Sequence, residues 1–222
     1  MKNILVIGAA GQIGTDLTLE LRDQFGAENV VATDIKMASQ EIMDGGPFEN
    51  LDAMNKKRIA EILDDYQITE IYHLAAILSG NAEKNPKWAW DLNMNSLFNV
   101  LDVAREKGVN KIFWPSSMGA FGPSTPEWDT PQVTVMEPTT VYGISKQAGE
   151  RWVEYYFEKY GMDIRSLRYP GLISWKTEAG GGTTDYAVEI FYEALKCGKY
   201  ECFLAEDMAL PMMYMDDAVR AT

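Results

Sequence analysis

The chain has 222 residues, 46% of them hydrophobic and 24% charged, enough for one compact domain with a sizeable core. A formal net charge of −13 without a basic patch excludes nucleic acid and anionic membrane as partners, and no run approaches the ~18 apolar residues of a membrane span. Two cysteines, Cys197 and Cys202, and one histidine, His73, are too few for a usual tetrahedral zinc site, so no metal is expected.

Lys2 to Gly14, KNILVIGAAGQIG, is an apolar run that breaks into three glycines spaced three apart. It reads as a structural strand rather than a signal peptide, which places the expected protein in the cytoplasm, with the cysteines as buried or partly buried thiols. Ile4, Leu5, Val6 and Ile7 predict a strand buried on both faces, and Ile13, Leu17, Leu21 and Phe25 predict one side of a helix. In such a turn Gly8 supplies the dihedrals, Gly11 lets backbone approach a pyrophosphate, and Gly14 lets the helix lie against the strand. The helix start then offers N–H groups and a positive dipole end to phosphates. A glycine-rich turn without a ligand reads the same way, so the second strand matters. Asn29 to Asp34, NVVATD, ends in an acid 20 residues past Gly14. A carboxylate there accepts the hydroxyls of an adenine ribose and repels a 2′-phosphate, which favours NAD over NADP. Lys36 complicates that preference by offering a nearby cation.

Met37 to Asn55 shows no clean periodicity and reads as a loop. Asp52, just before a helix marked by Ile59, Ile62, Leu63 and Tyr66, is either an N-terminal helix acid or a contact to the adenine. Glu70 to Ala76 is the third predicted strand, and the small residues of its end, LAAILSG, let a cofactor lie close. His73 within it reads as a hydrogen-bonded structural histidine. Ser79 falls on a loop at the carboxyl end of the sheet, where open α/β folds bind ligands. Pro86 to Lys107 is a long helix with a Lys107-Gly108 stop, and Lys111 to Pro115 is the fourth strand, followed directly by Ser116 and Ser117. Met118 to Thr140, with four prolines and two glycines, is a long irregular loop of the kind that is usually functional.

Val141 to Tyr160 is the next helix, and it carries Tyr142 and Lys146 one turn apart on one face. An ammonium close to a phenol lowers its pKa from near 10 and makes it usable as a base; a surface cation beside a packed ring has the same spacing. Asp163 to Arg168 is the fifth strand and runs into the turn Tyr169-Pro170-Gly171. Gly180, Gly181 and Gly182 lead through Thr183, Thr184 and Asp185 into an amphipathic helix, either a flexible loop with an N-cap or a second anion site. PMMYMDDAVRAT closes the chain as a strand and a capped helix.

The regular alternation of strands and helices predicts an α/β fold with a doubly wound parallel sheet of Rossmann type. Together the glycine turn, Asp34, Ser117 and Tyr142-Gly-Ile-Ser-Lys146 resemble the extended short-chain dehydrogenase/reductases over the whole chain. Within them, RYPGLISW, GGGTTDYAVEIFYEALK and LPMMYMDDAVRAT resemble the short-chain L-threonine 3-dehydrogenases; the more distant nucleotide-sugar epimerases carry an asparagine where Tyr169-Pro170 stands. The resemblance implies NAD-dependent, metal-free oxidation of L-threonine to 2-amino-3-ketobutyrate. It casts Ser117 as the residue that orients the alcohol, Tyr142 as the base and Lys146 as the group that holds the nicotinamide ribose and depresses the tyrosine pKa. Gln12, Ile13, Asp52, Leu74, Ala75, Ala76, Asn95, Tyr169 and Pro170 join the glycines and Asp34 as implied cofactor contacts, and Ser79, Thr183 and Thr184 as implied substrate contacts. Residues 1–170 would form the NAD-binding domain and 171–222 the start of a substrate-binding part, truncated because the family continues past Thr222. A homodimer is expected through the Pro86–Lys107 and Val141–Tyr160 helices, on the face bearing Ala148, Trp152 and Tyr155. The rival readings are an NAD-dependent nucleotide-sugar epimerase or dehydratase and a non-catalytic NAD-sensing module.

Overall fold

A computed structural model describes residues 2–109, 111–177 and 180–222. Ile4–Ile7 form β1, and all four side chains are buried because alternate residues face helical layers on opposite sides of the sheet. The glycine turn leads into α1 (Gln12–Phe25), and β2 (Val30–Asp34) pairs parallel with β1, Ile4 opposite Val30 and Ile7 opposite Thr33. The stretch expected to be a loop, 37–55, instead holds α2 (Gln40–Asp44) and β3 (Phe48–Asn50), elements too short to display a period in sequence.

The chain continues through α3 (Lys56–Asp65), β4 (Glu70–His73), α4 (Ser79–Ala82), α5 (Pro86–Lys107), β5 (Lys111–Phe113) and β6 (Ser116–Ser117). After the irregular segment come α6 (Val141–Tyr160), β7 (Asp163–Arg165), β8 (Arg168–Tyr169), β9 (Gly171–Ile173), α7 (Tyr186–Cys197), β10 (Met212–Tyr214) and α8 (Met215–Ala221). The bounds of α5 and α6 are those predicted, since both carry strong signals: caps at Asn85 and Thr140 and left-handed glycines at Gly108 and Gly161. Other expectations need correction. Ser79 opens the helical turn α4 rather than lying on a loop, and the strand expected from Asp163 to Arg168 is split, β8 leaving the main sheet to pair with β6.

The main sheet is fully parallel in the order β3-β2-β1-β4-β5-β7; β6-β8 and β9-β10 are separate parallel pairs. Leu5 and Ile7 pack with α3, α5 and α6 on one face, while Ile4 and Val6 pack with α1 and α8 on the other. Met215 and Ala218 of α8 thus share a core with β1, so the segment after residue 170 is built into the sheet's own layers. Among the described residues no helix is long and apolar enough to cross a membrane. Cys197 and Cys202 are both free and exposed, contrary to the expected burial.

Candidate active site

The carboxyl ends of β1, β2 and β4 meet at the glycine turn. Gly8 has φ +95°, and a Cβ there would sit 2.8 Å from the Ala75 nitrogen; at Gly14 a Cβ would sit 2.0 Å from the Gly8 carbonyl oxygen. The fold itself requires both glycines. Gly11 differs, with φ −84° and only the Gly8 oxygen, at 3.4 Å, near a would-be Cβ. Its bare face is not needed for the protein's own packing, which is the shape expected where a phosphate approaches backbone. No side chain caps α1, whereas Ser39, Asn55, Asn85 and Thr140 cap α2, α3, α5 and α6. The first-turn N–H groups, those of Gln12 and Ile13 among them, are therefore presented to an anion.

Asp34 turns its carboxylate back onto this turn, Oδ2 accepting from the Ala10 N–H and Oδ1 from the Lys36 N–H, each at 3.0 Å. The Lys36 side chain is exposed. Leu74 and Ala75 wall the other side, both N–H groups bonding the Ile7 carbonyl at 2.8 and 3.1 Å, and Ala76 follows half-buried. The set fits a dinucleotide. Asp52 is not the helix acid: Asn55 caps α3, and the Asp52 carboxylate accepts from the Met54 N–H at 2.9 Å, exposed just beyond β3. That leaves it at the same sheet edge as Asp34.

Two implied cofactor contacts stand apart from this group. Asn95 is exposed on α5, while Asn93 lies on the buried stripe with Ala89, Ser96 and Leu97 and clamps the loop after β4, accepting from the Ile77 N–H at 2.8 Å and donating to the Ile77 carbonyl at 3.1 Å. The helical phase of α5 was the signal that separates the two asparagines. The Tyr169 side chain points into the core, its ring centroid 6.3 Å from that of Phe113 and its hydroxyl against Thr222, so only its backbone and the half-buried Pro170 remain for a ligand.

Ser117 sits on β6, its hydroxyl accepting from the Gly119 N–H at 3.1 Å, and the ring of Tyr142, from the first turn of α6, lies against the same Gly119. Lys146, one turn on, is 3% exposed; its Nζ donates to the Pro115 carbonyl at 2.6 Å and lies 4.5 Å from the Trp114 ring centroid and 5.6 Å from that of Tyr142. Burial pushes the Tyr142 phenol up, against the effect of the Ser117 hydroxyl, and pushes the Lys146 ammonium down to about 7, against the pull of Glu150. His73 meets Ser96 at 3.2 Å, and burial, reinforced by Lys146, holds its imidazole neutral, down to about 3. Sequence reasoning passed over Glu150, whose place four residues after Lys146 already put it on the same helix face.

Across the site, the Thr183 N–H donates to the Ser79 hydroxyl at 3.3 Å, and the Gly80 N–H donates to the Gly181 carbonyl at 3.1 Å, so the two expected substrate segments do meet. Thr184 packs its Cβ and methyl over Gly171. In the loop before α7 the Gly181 and Gly182 N–H groups donate to the buried Asp185 carboxylate at 2.8 and 2.7 Å, while α7 itself begins without a side-chain cap.

Residues 4–222 match the family described as NAD dependent epimerase/dehydratase. An uncharacterized epimerase/dehydratase of Staphylococcus saprophyticus is 51% identical over 222 residues, all of this chain and 69% of that protein. Among solved structures, a partial consensus L-threonine 3-dehydrogenase is 58% identical with a TM-score of 0.95, over 99% of this chain and 70% of that one. The holo form of a GalE-like L-threonine dehydrogenase from Cupriavidus necator is 55% identical with a TM-score of 0.94, over 99% and 71%. A Thermotoga maritima UDP-glucose 4-epimerase with UDP-glucose has a TM-score of 0.87 but 25% identity, over 99% and 71%. The chain belongs to the NAD dependent epimerase/dehydratase family, and within it shares more than twice as many identical residues with these L-threonine dehydrogenases as with that epimerase.

Proposed function

We propose that this protein oxidises the β-hydroxyl of L-threonine to a ketone, giving 2-amino-3-ketobutyrate. The observation that carries the reading is the assembly of Ser117, Tyr142 and Lys146 beside a turn shaped for a dinucleotide, in a chain 55–58% identical to L-threonine dehydrogenase structures. The glycine turn, the start of α1 and Asp34 would hold NAD, which supplies the acceptor for the hydrogen leaving the β-carbon.

The chain's own residues handle the proton. Ser117 orients the alcohol by its hydroxyl, and Tyr142 takes the hydroxyl proton as a phenolate. Burial opposes that phenolate, so a charged Lys146 one turn away is a requirement of the chemistry. Ser79, Thr183 and Thr184 face the substrate's amino-acid end in this reading. With the Gly181 and Gly182 N–H groups engaged by Asp185, the threonine carboxylate would be held by these hydroxyl groups and the uncapped start of α7.

The enzyme would work in the cytoplasm, where exposed free thiols such as Cys197 and Cys202 stay reduced, and as a homodimer through α5 and α6. The family description supports a second reading, a nucleotide-sugar epimerase or dehydratase using the same tyrosine. The test mixes the protein with NAD and L-threonine and follows NADH. NADH is expected to accumulate, and Tyr142→Phe, which removes the base but little volume, is expected to abolish turnover while NAD still binds. Turnover of a nucleotide sugar with no NADH from threonine would decide for the second reading.

A further inference from the structure

Successive turns of α6 grip the segment that carries Ser117. The Tyr142 ring lies against Gly119 beside the Ser117 hydroxyl, Lys146 donates to the Pro115 carbonyl at 2.6 Å, and Glu150 accepts from the Ser116 hydroxyl at 2.5 Å. Glu150 is 9% exposed and is held from its other side by Arg168, whose Nε and a terminal nitrogen donate to the two carboxylate oxygens at 2.8 and 2.7 Å. This flat two-point pairing fixes the carboxylate in direction as well as place. Arg168 lies on β8 directly opposite Ser116 of β6, so the pair ties helix and strand together.

Lys146 is buried among few charges. From α6 it faces Tyr142 and Glu150; from the segment before β6, the Trp114 ring and the Pro115 carbonyl; from β4, the neutral His73; and from β8, Arg168 behind Glu150. Glu150 is the negative member of that set. A buried ammonium with no anion near it gives up its proton rather than its hydration.

We propose that Glu150 is a positioning residue for the oxidation: fixed by Arg168 and Ser116, its carboxylate is the counter-charge that keeps the buried Lys146 an ammonium. The proposal rests on Tyr142 being the base, because a charged Lys146 is what favours its phenolate. A plain structural salt bridge would make the two partners equivalent, whereas here they act in opposite senses. Without the charge on Glu150, Lys146 and Arg168 are two unbalanced cations. Without the charge on Arg168, the whole carboxylate faces Lys146.

Carbon NMR titration of the lysine ε-carbons follows the Lys146 ammonium with neither cofactor nor substrate, its resonance assigned by loss in Lys146→Met. Glu150→Gln, which keeps an oxygen for Ser116, is expected to move the Lys146 midpoint down by about one pH unit, and Arg168→Gln to move it up. The low-pH limb of NADH production should move up in Glu150→Gln and down in Arg168→Gln. Midpoints that stay put, or move the same way in both variants, overturn the proposal. If Glu150→Gln does not fold, Arg168→Gln decides alone, an upward shift supporting and no shift refuting. If the midpoints move as expected but no form of the protein oxidises threonine, the functional reading fails and the role of Glu150 stands.

Discussion

Asp34 places one negative charge where an adenine ribose would lie, already aligned by the Ala10 and Lys36 N–H groups. Asp34→Ala is expected to weaken NAD binding by about 1.5–3 kcal/mol, the scale of hydrogen bonds to a charged group, and to narrow the preference over NADP. Calorimetric titration with both cofactors checks it, and equal affinities in the unaltered protein would count against it. His73 gives a stability prediction. Its folded value near 3 lies below the unfolded value near 6.5, so between the two the unfolded chain binds a proton that the folded one refuses. Stability is therefore complete above about pH 6.5 and falls as acid is added, by about 1.4 kcal/mol per pH unit, until the folded value is passed. Denaturant unfolding at stepped pH should show that slope, and His73→Gln should remove it. At this scale, what was legible in the sequence is what local spacing encodes: the three glycines, Asp34, and Tyr142 with Lys146. That Asn93 rather than Asn95 faces the loop after β4 is a matter of helical phase, which two asparagines two residues apart do not show by spacing alone. The partnership of Glu150 with Arg168 was invisible because it depends on β8 leaving the main sheet.

Among the elements, the start of α1 separates a glycine kept for the fold from one kept for a ligand. Gly14→Ala drives a methyl into the Gly8 carbonyl and is expected to cost about 1–3 kcal/mol as an overpacked contact. Gly11→Ala meets no such obstacle and is expected to change stability by about 1 kcal/mol or less, the scale of an N-cap change, while weakening NAD binding at least about tenfold. Thermal melts alongside cofactor titrations distinguish the pair; equal losses of stability would show that Gly11 also serves packing. The long helices could be read to their last residue because capping residues and stop glycines mark them. The short β3, β6 and β8 could not, since strands of two or three residues owe their existence to a neighbour rather than to their own pattern.

For the whole molecule, the question is what covers α5 and α6. Trp152 and Tyr155 are each 41% exposed and stacked edge-on, and Trp152 also meets Phe98 of α5 edge-on at 5.0 Å, so an aromatic ridge spans both helices on the face away from Tyr142 and Lys146. A ridge of this kind is suited to self-association. Trp152→Glu is expected to convert a dimer to a monomer with its fold retained, as read by light scattering and circular dichroism; a parent protein of monomeric mass would refute the interface. The doubly wound layering was legible because parallel strands buried on both faces, alternating with amphipathic helices, admit few other arrangements.

The grip of α6 on residues 114–117 makes the reactive centre a register rather than a collection of parts. One residue inserted between Trp114 and Ser117 would exchange the two faces of β6, so that Tyr142, Lys146 and Glu150 lose their partners together. A few residues downstream, 126–131 are exposed throughout and can lengthen without disturbing that alignment, short of Gln132, whose carbonyl accepts from Arg168. Variation in chain length is thus confined to one side of a sharp boundary. On the other side, the chemistry fails by dislocation rather than by gradual wear.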